Sequence, residues 1–308
     1  MKNILLSLLV AAGMLAAISC AKKEETKPGK VIGVTLLTRG HIFYRDLEAG
    51  LVEEAAKQKY ELIITSADFD LGKQIGQIED FVARKVDAII VSPVDSKGVG
   101  PGIAKANAAN IPVFTADIAA EEGKVVSHIA SDNVAGGRLA GEYLAHTLHE
   151  KGAIAIVDQP AITSVLDRVQ GFREAIAKYP GIAIVADVNG QGVRDKSLQV
   201  AADVLQAHPN LQGIFGINDD SALGALDAVE QFKRTSIAIV GYDATPPAAD
   251  AIKRGSPLKA DVIQYPRQIG IITIQKISDY FAGRPVPKLV PVAVGIADRD
   301  SLMARAAQ

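Results

Sequence analysis

Two similar α/β lobes, each a mostly parallel sheet with helices on both faces, are what this sequence predicts. Three observations lead there. The strand-like runs, such as "VIGVTLL", "AIIVSP" and "AIAIVD", are apolar throughout and do not alternate, so both faces of each sheet are covered. They take turns with segments of helical spacing, for instance Leu47, Leu51 and Ala55. The alternation runs twice, with a break near Ser131 to Val134, in a chain of 308 residues that exceeds what one core usually serves.

Taken in order, Met1-Lys2-Asn3 and "ILLSLLVAAGMLAA" have the charge and length of a signal peptide and are too short to span a bilayer comfortably. The run ends at "AAISC", where the only cysteine, Cys20, follows small residues. This resembles a bacterial lipoprotein signal, although Ala17 stands where Leu is usual. Residues 1–20 are therefore expected to be removed or lipidated at Cys20, and residues 21–29 to form a charged tether. The protein is expected outside the cytoplasm, held to a membrane by lipid.

The first series then reads "KVIGVTLL", helix "YRDLEAGLVEEAAKQK", "ELIIT", helix "LGKQIGQIEDFVARK", "DAIIVSP", helix "GVGPGIAKANAA", "IPVFTAD" and "VVSHIASD". The helix "NVAGGRLAGEYLAHTLHE" follows, its glycines permitting close packing. The second series reads "AIAIVDQ", "SVLDRVQGFREAIAKY", "IAIVADV", "RDKSLQVAADVLQAH", "QGIFGIND", "SALGALDAVEQF", "SIAIVGYD" and "PPAADAIKR". "LKADVIQYP", the helix "RQIGIITIQKISDYFAG", a strand near Pro287 to Val294 and a short tail helix lie outside both series. They are placed best if the chain crosses between lobes more than once.

Composition removes several functions. A net charge of −2 without a basic block argues against nucleic acid. One cysteine leaves no disulfide or thiolate metal site, and no metal or cofactor is expected. "GQGVRD" lacks the last glycine of a dinucleotide fingerprint, and the serines near acids have no histidine placed to complete a triad.

Ligands of open α/β sheets bind beyond the carboxyl ends of the strands. Those ends carry His41, Phe43, Tyr44, Ser92, Asp117, Arg168, Asn218, Asp243 and Gln264. Acids, amides and an arginine among aromatics suit a small neutral polyhydroxylated molecule, with a ring covering its C–H face. Charge-assisted hydrogen bonds contribute about 1.5–3 kcal/mol each. Three or four supply most of the roughly 8 kcal/mol behind micromolar affinity. Structural roles compete: Asn218 or its neighbours Asp219 and Asp220 could cap a helix, Arg168 could bridge Asp167 or Glu174, and Ser92-Pro93 is a common turn exit. An amino-acid receptor, with Arg168 on a carboxylate and an acid on an ammonium, also fits the charges. A glycosidase or isomerase lacks a positioned acid/base pair or metal set.

"VVSHIASDN", "HPNLQGIFGINDDSALGAL", "IVGYDATP" and "VIQYPRQIG" together resemble the pentose/hexose family of type I periplasmic sugar receptors of ABC transporters, from Lys30 to about Val294. The resemblance implies two Rossmann-like lobes joined by three crossovers, near Ser131–Asp132, Gln264–Tyr265 and Val292. The lobes would comprise 30–131 plus 265–291 and 132–264 plus 292–308. It implies a non-catalytic, monomeric receptor that closes on a monosaccharide and hands it to an ABC permease and its ATPase. A chemotaxis or sensor receptor on the same fold is the alternative. Phe43 and Tyr44 match the family's stacking aromatics, and Asp117, Arg168, Asn218, Asp243 and Gln264 its polar contacts. His41 and Ser92 each replace an asparagine, Ile118 stands in place of a donating arginine, and Gly192 offers no ring where the second lobe's aromatic is expected. A sugar or polyol other than ribose, or another pose, is the implied consequence.

Overall fold

The computed structural model describes residues 29–306. Residues 1–20, Cys20 and all but the last residue of the 21–29 tether lie outside the described residues. The first lobe holds β1 (Val31–Leu36), α1 (Ile42–Gln58), β2 (Glu61–Ser66), α2 (Leu71–Ala83), β3 (Ala88–Val91), α3 (Gly100–Ala108), β4 (Val113–Ala116) and β5 (His128–Ser131). The second holds α4 (Asn133–Thr147), β6 (Lys151–Asp158), α5 (Thr163–Ile176), β7 (Gly181–Asn189), α6 (Arg194–Ala207), β8 (Leu211–Gly216), α7 (Asp219–Gln231), β9 (Ala238–Asp243), α8 (Pro246–Lys253) and β10 (Leu258–Ile263). The chain returns to the first lobe for α9 (Pro266–Phe281) and β11 (Leu289–Val292), then ends in the second with β12 (Gly295–Asp298) and α10 (Arg299–Ala306).

Both sheets have six strands, in the orders β11-β5-β4-β3-β1-β2 and β12-β10-β9-β8-β6-β7. The two orders are equivalent position for position, as the doubled alternation in the sequence implies. All pairings are parallel except β12 on β10. The strand expected near Pro287 to Val294 is β11, and a further strand that was not expected, β12, follows it. β11 closes one sheet, and after Ala293 and Val294 the chain pairs β12 antiparallel on the other. Two residues suffice because the chain reverses its role, not its layer: it leaves one sheet edge and joins the facing edge. The lobes are thus linked at three adjacent places, between Ser131 and Asn133, Ile263 and Pro266, and Val292 and Gly295.

Local sequence sets the helix starts. Asp70, Asp132 and Asn218 accept from the backbone N–H groups of Lys73, Ala135 and Ser221 at 2.9, 3.0 and 2.8 Å, satisfying donors that each helix start leaves free. Pro246 and Pro266 open α8 and α9, where a missing N–H has no consequence. One cluster of buried hydrophobics runs through both lobes, from Ile32 and Leu47 to Phe172 and Tyr242, so the lobes are shut against each other. Two further clusters back the outer faces.

The glycines of "VAGGRLAG" decide where Arg168 sits. A Cβ at Gly137 would lie 2.0 Å from the carbonyl oxygen of Arg168, and one at Gly171 would lie 2.0 Å from that of Val134. Helices α4 and α5 therefore touch backbone to backbone. A backbone carbonyl cannot swing aside as a flexible side chain can, so even one methyl separates the helices. Gly137→Ala is expected to destabilise the protein by about 1–3 kcal/mol, read as a lower urea midpoint at unchanged slope.

Candidate functional site

A cleft between the lobes is lined by the carboxyl ends of strands from both sheets. The first lobe contributes Leu37, His41, Phe43, Tyr44, Phe69 and Asp117; the second contributes residues that include Gln159, Arg168, Gly192, Asn218, Asp243 and Gln264. Empty space in the cleft and at its mouth amounts to about 380 Å³, part of it open solvent.

Each polar side chain is aimed by its own stretch of backbone. Asp117 follows β4 at the centre of a γ-turn: its φ is 69°, and Ile118 N donates to Ala116 O at 2.9 Å. The turn points the carboxylate into the cleft, where Oδ2 accepts from Tyr44 OH at 2.7 Å. Asp243 ends β9 with φ 120° and accepts from Gln264 Nε2 at 2.5 Å. Arg168 lies in α5 with its guanidinium 4.0 Å above the Tyr242 ring. It donates through Nε to Asn133 Oδ1 at 2.8 Å and through Nη1 to Ile217 O at 2.9 Å. Strained backbone at two buried acids is a mark of functional sites. Two acceptors in the cleft, Asp117 Oδ1 and Gln264 Oε1, are buried without a donor among the described residues, a costly state unless a ligand supplies one.

A sequence model of the periplasmic binding protein domain matches residues 32–285. The chain belongs to the periplasmic binding protein family. It is similar to the ribose import binding protein of Escherichia coli (strain K12), 34% identical over 288 residues that cover 93% of this chain and 96% of that protein. An ABC transporter solute binding protein from Mycobacterium smegmatis, with bound glycerol, superposes with a TM-score of 0.85 at 33% identity, covering 91% of this chain and 98% of that one. One from Actinobacillus succinogenes 130z, with bound D-allose, does so with a TM-score of 0.82 at 29% identity, covering 89% and 99%. The type I architecture, with its ribose-receptor resemblance, is therefore shown.

In this periplasmic binding protein the structure brings His41, Phe43, Tyr44, Asp117, Arg168, Asn218, Asp243 and Gln264 into one cleft. Two residues singled out in the sequence do not line it. Ser92 is 0% exposed, and its hydroxyl donates to Ala116 O at 2.9 Å, tying β3 to β4. Ile118 is turned into the hydrophobic core by the same γ-turn that presents Asp117. Asn218 caps α7 while lining the cleft, its Oδ1 taken by Ser221 N and its Nδ2 donating to Gly192 O at 3.1 Å. Arg168 does not bridge Glu174, which pairs with Arg138. The sequence reading missed Phe69, in the turn after the edge strand β2, and Gln159, directly after the interior strand β6. It also missed Asp261, an acid in mid-strand that could have been noticed as unusual in a buried run.

Gly192 has φ 65°, and a Cβ there would lie 2.3 Å from Gln159 Oε1. Instead of a side chain it offers its carbonyl, 3.3 Å from His41 Nε2 on the opposite lobe. His41 Nε2 is also 2.7 Å from Asp220 Oδ2. Ser96 and Thr163 make a second crossing: Thr163 N donates to Ser96 Oγ at 3.0 Å, and Ser96 N to Ala161 O at 3.2 Å. The protein is thus in its closed form.

Burial alone would lower the His41 pKa, but the hydrogen bond and charge of Asp220, with Asp243 and the Gly192 carbonyl, raise it to about 9. Burial lifts Asp117 to about 6 against the pull of Arg168 and Tyr44. Since His41 titrates near 6.5 once separated from Asp220, its contribution to closure is complete below that pH and is lost as pH rises through about 9. Ligand affinity is expected to fall about fivefold from this pair between pH 6.5 and 9.5, the equivalent of about 1 kcal/mol. His41→Gln should flatten that limb in calorimetric titrations, and an unchanged profile would rule the latch out.

Proposed function

We propose that this protein captures a neutral monosaccharide or polyol outside the cytoplasm and presents the closed form to an ABC permease and its ATPase. The observation that carries the reading is the pair of buried acceptors without donors, Asp117 Oδ1 and Gln264 Oε1, in a cleft that both lobes build. Hydroxyl groups are the neutral donors that satisfy carboxylate and amide oxygens at this density. The ribose, glycerol and D-allose named for its relatives belong to that chemistry.

The mechanism is closure about the three adjacent crossings. Tyr44 and Asp117 belong to one lobe, and Arg168, Asn218, Asp243 and Gln264 to the other. A ligand touching both sets binds the closed form better than the open one, and that difference alone shifts the population. No side chain is assigned to bond breaking: the acids face a hydroxyl, an amide and an arginine, and act as acceptors. The signal-like N-terminus and Cys20 support a lipid anchor, and a monomer suffices because the cleft is complete within one chain.

A thermal-shift panel of pentoses, hexoses, inositol, linear polyols, amino acids and nucleosides tests the class. A ligand at a hundred times its Kd adds about 2.7 kcal/mol and raises Tm by several degrees. Hits confined to amino acids or nucleosides would reject the reading. With the sugar or polyol that binds best, Asp243→Ala is expected to cost about 2–5 kcal/mol in calorimetry, because its partners stay buried and unpaired.

A further inference from the structure

We infer that Phe69 is a specificity-determining residue of the cleft, a third aromatic wall that selects cyclic sugars over linear polyols. The inference rests on the reading of the protein as a sugar receptor and names its ligand subclass. Phe69 lines the cleft but belongs to none of the strand-end contacts discussed above. It occupies the turn between β2 and α2, in which Asp70 N donates to Ala67 O at 3.1 Å. The two central residues, Asp68 and Phe69, have φ of 53° and 64°. Positive φ at both central positions is the pattern of a type I′ turn, whose second central position glycine fills most readily. Here that position holds one of the bulkiest apolar residues, in a backbone region it disfavours.

The ring gains no core packing in return. Phe69 remains 40% exposed even with the lobes closed, whereas Phe43 and Tyr44 are each 4% exposed. A strained turn carrying an exposed ring has no structural benefit that a glycine would not exceed. Its position supplies another benefit. β2 and β7 are the edge strands farthest from the three crossings in their sheets. The turn after β2 and the Gly192 loop after β7 therefore both stand at the outer end of the cleft. Gly192 supplies no ring there, and its φ of 65° disfavours any side chain. Phe69 brings one from the first lobe, in a lining that also holds the apolar Leu37 and Ile162.

A flat ring recognises a flat C–H face, and a cyclic sugar has one. A linear polyol presents no comparable rigid face, so it draws less from Phe69. The test is calorimetric titration of the wild type, Phe69→Gly and Phe69→Tyr with pentoses, hexoses, inositol, xylitol and glycerol, beside ligand-free Tm measurements. Phe69→Gly is expected to bind the preferred cyclic ligand roughly 3- to 10-fold more weakly, with linear polyols changed less than twofold. Its ligand-free Tm should be equal or higher, since glycine suits the turn, and Phe69→Tyr should restore binding. A lower ligand-free Tm, or unchanged affinity for cyclic ligands, would overturn the inference and leave the receptor reading standing. So would a wild type that binds linear polyols alone. A wild type that binds no sugar or polyol would overturn both.

Discussion

Two carboxylates held out of water, Asp117 at the end of β4 and Asp243 at the end of β9, set the terms for the rest of this structure. They sit on different sheets, so nothing within one lobe can satisfy both. A buried carboxylate loses its hydration and recovers it only through donors and opposite charge. Asp117 receives Tyr44 from its own lobe, and Asp243 receives Gln264 from its own. Arg168, fixed over Tyr242 and held by Asn133 and Ile217, lowers the pKa of Asp243 in its own lobe and of Asp117 across the gap. Burial still keeps both raised, and Asp117 Oδ1 has no donor among the described residues. A closed cleft with incomplete solvation is a site whose closure is completed by its ligand.

The lobes also hold each other. His41 reaches Asp220 and the Gly192 carbonyl, and Ser96 meets Ala161 and Thr163. Contacts of this kind raise the population of the closed form before any ligand arrives, and so lower the fraction of binding free energy spent on closure. They act against discrimination if they are too strong, because a receptor already shut has little left for a ligand to shift. Half-exposed Asp220 and a few hydrogen bonds keep this bias modest.

The fold was legible because both of its signals are dense in the sequence. Apolar runs without alternation require two covered faces, and their repetition gives two sheets. The end of the chain was less legible: β11 was expected, but β12, four residues on the other sheet, follows it after only Ala293 and Val294. At the site, strand-end residues were legible as a class, but depth was not. A γ-turn at Asp117 sends consecutive residues in opposite directions, acid to the cleft and Ile118 to the core. Ser92 stands at an equivalent strand end, yet its hydroxyl turns back to the neighbouring strand. Phe69 was hidden because a bulky residue in a left-handed turn contradicts the propensity by which turns are recognised.

Asp261 shows how far the consequences of one buried acid extend. It lies in β10 with 0% exposure, and neither of its oxygens finds a donor among the described residues. Burial and the charge of Asp219 push its pKa well up. Asp219 accepts from the backbone N–H of Thr245 at 2.7 Å and from the Thr245 hydroxyl. Those two bonds fix the residue after Ala244, whose φ of 56° follows the 120° of Asp243. Asp219, buried beside Asp261, thus anchors the strained turn that aims the cleft's second carboxylate. The acid that lines the cleft is positioned by acids that do not.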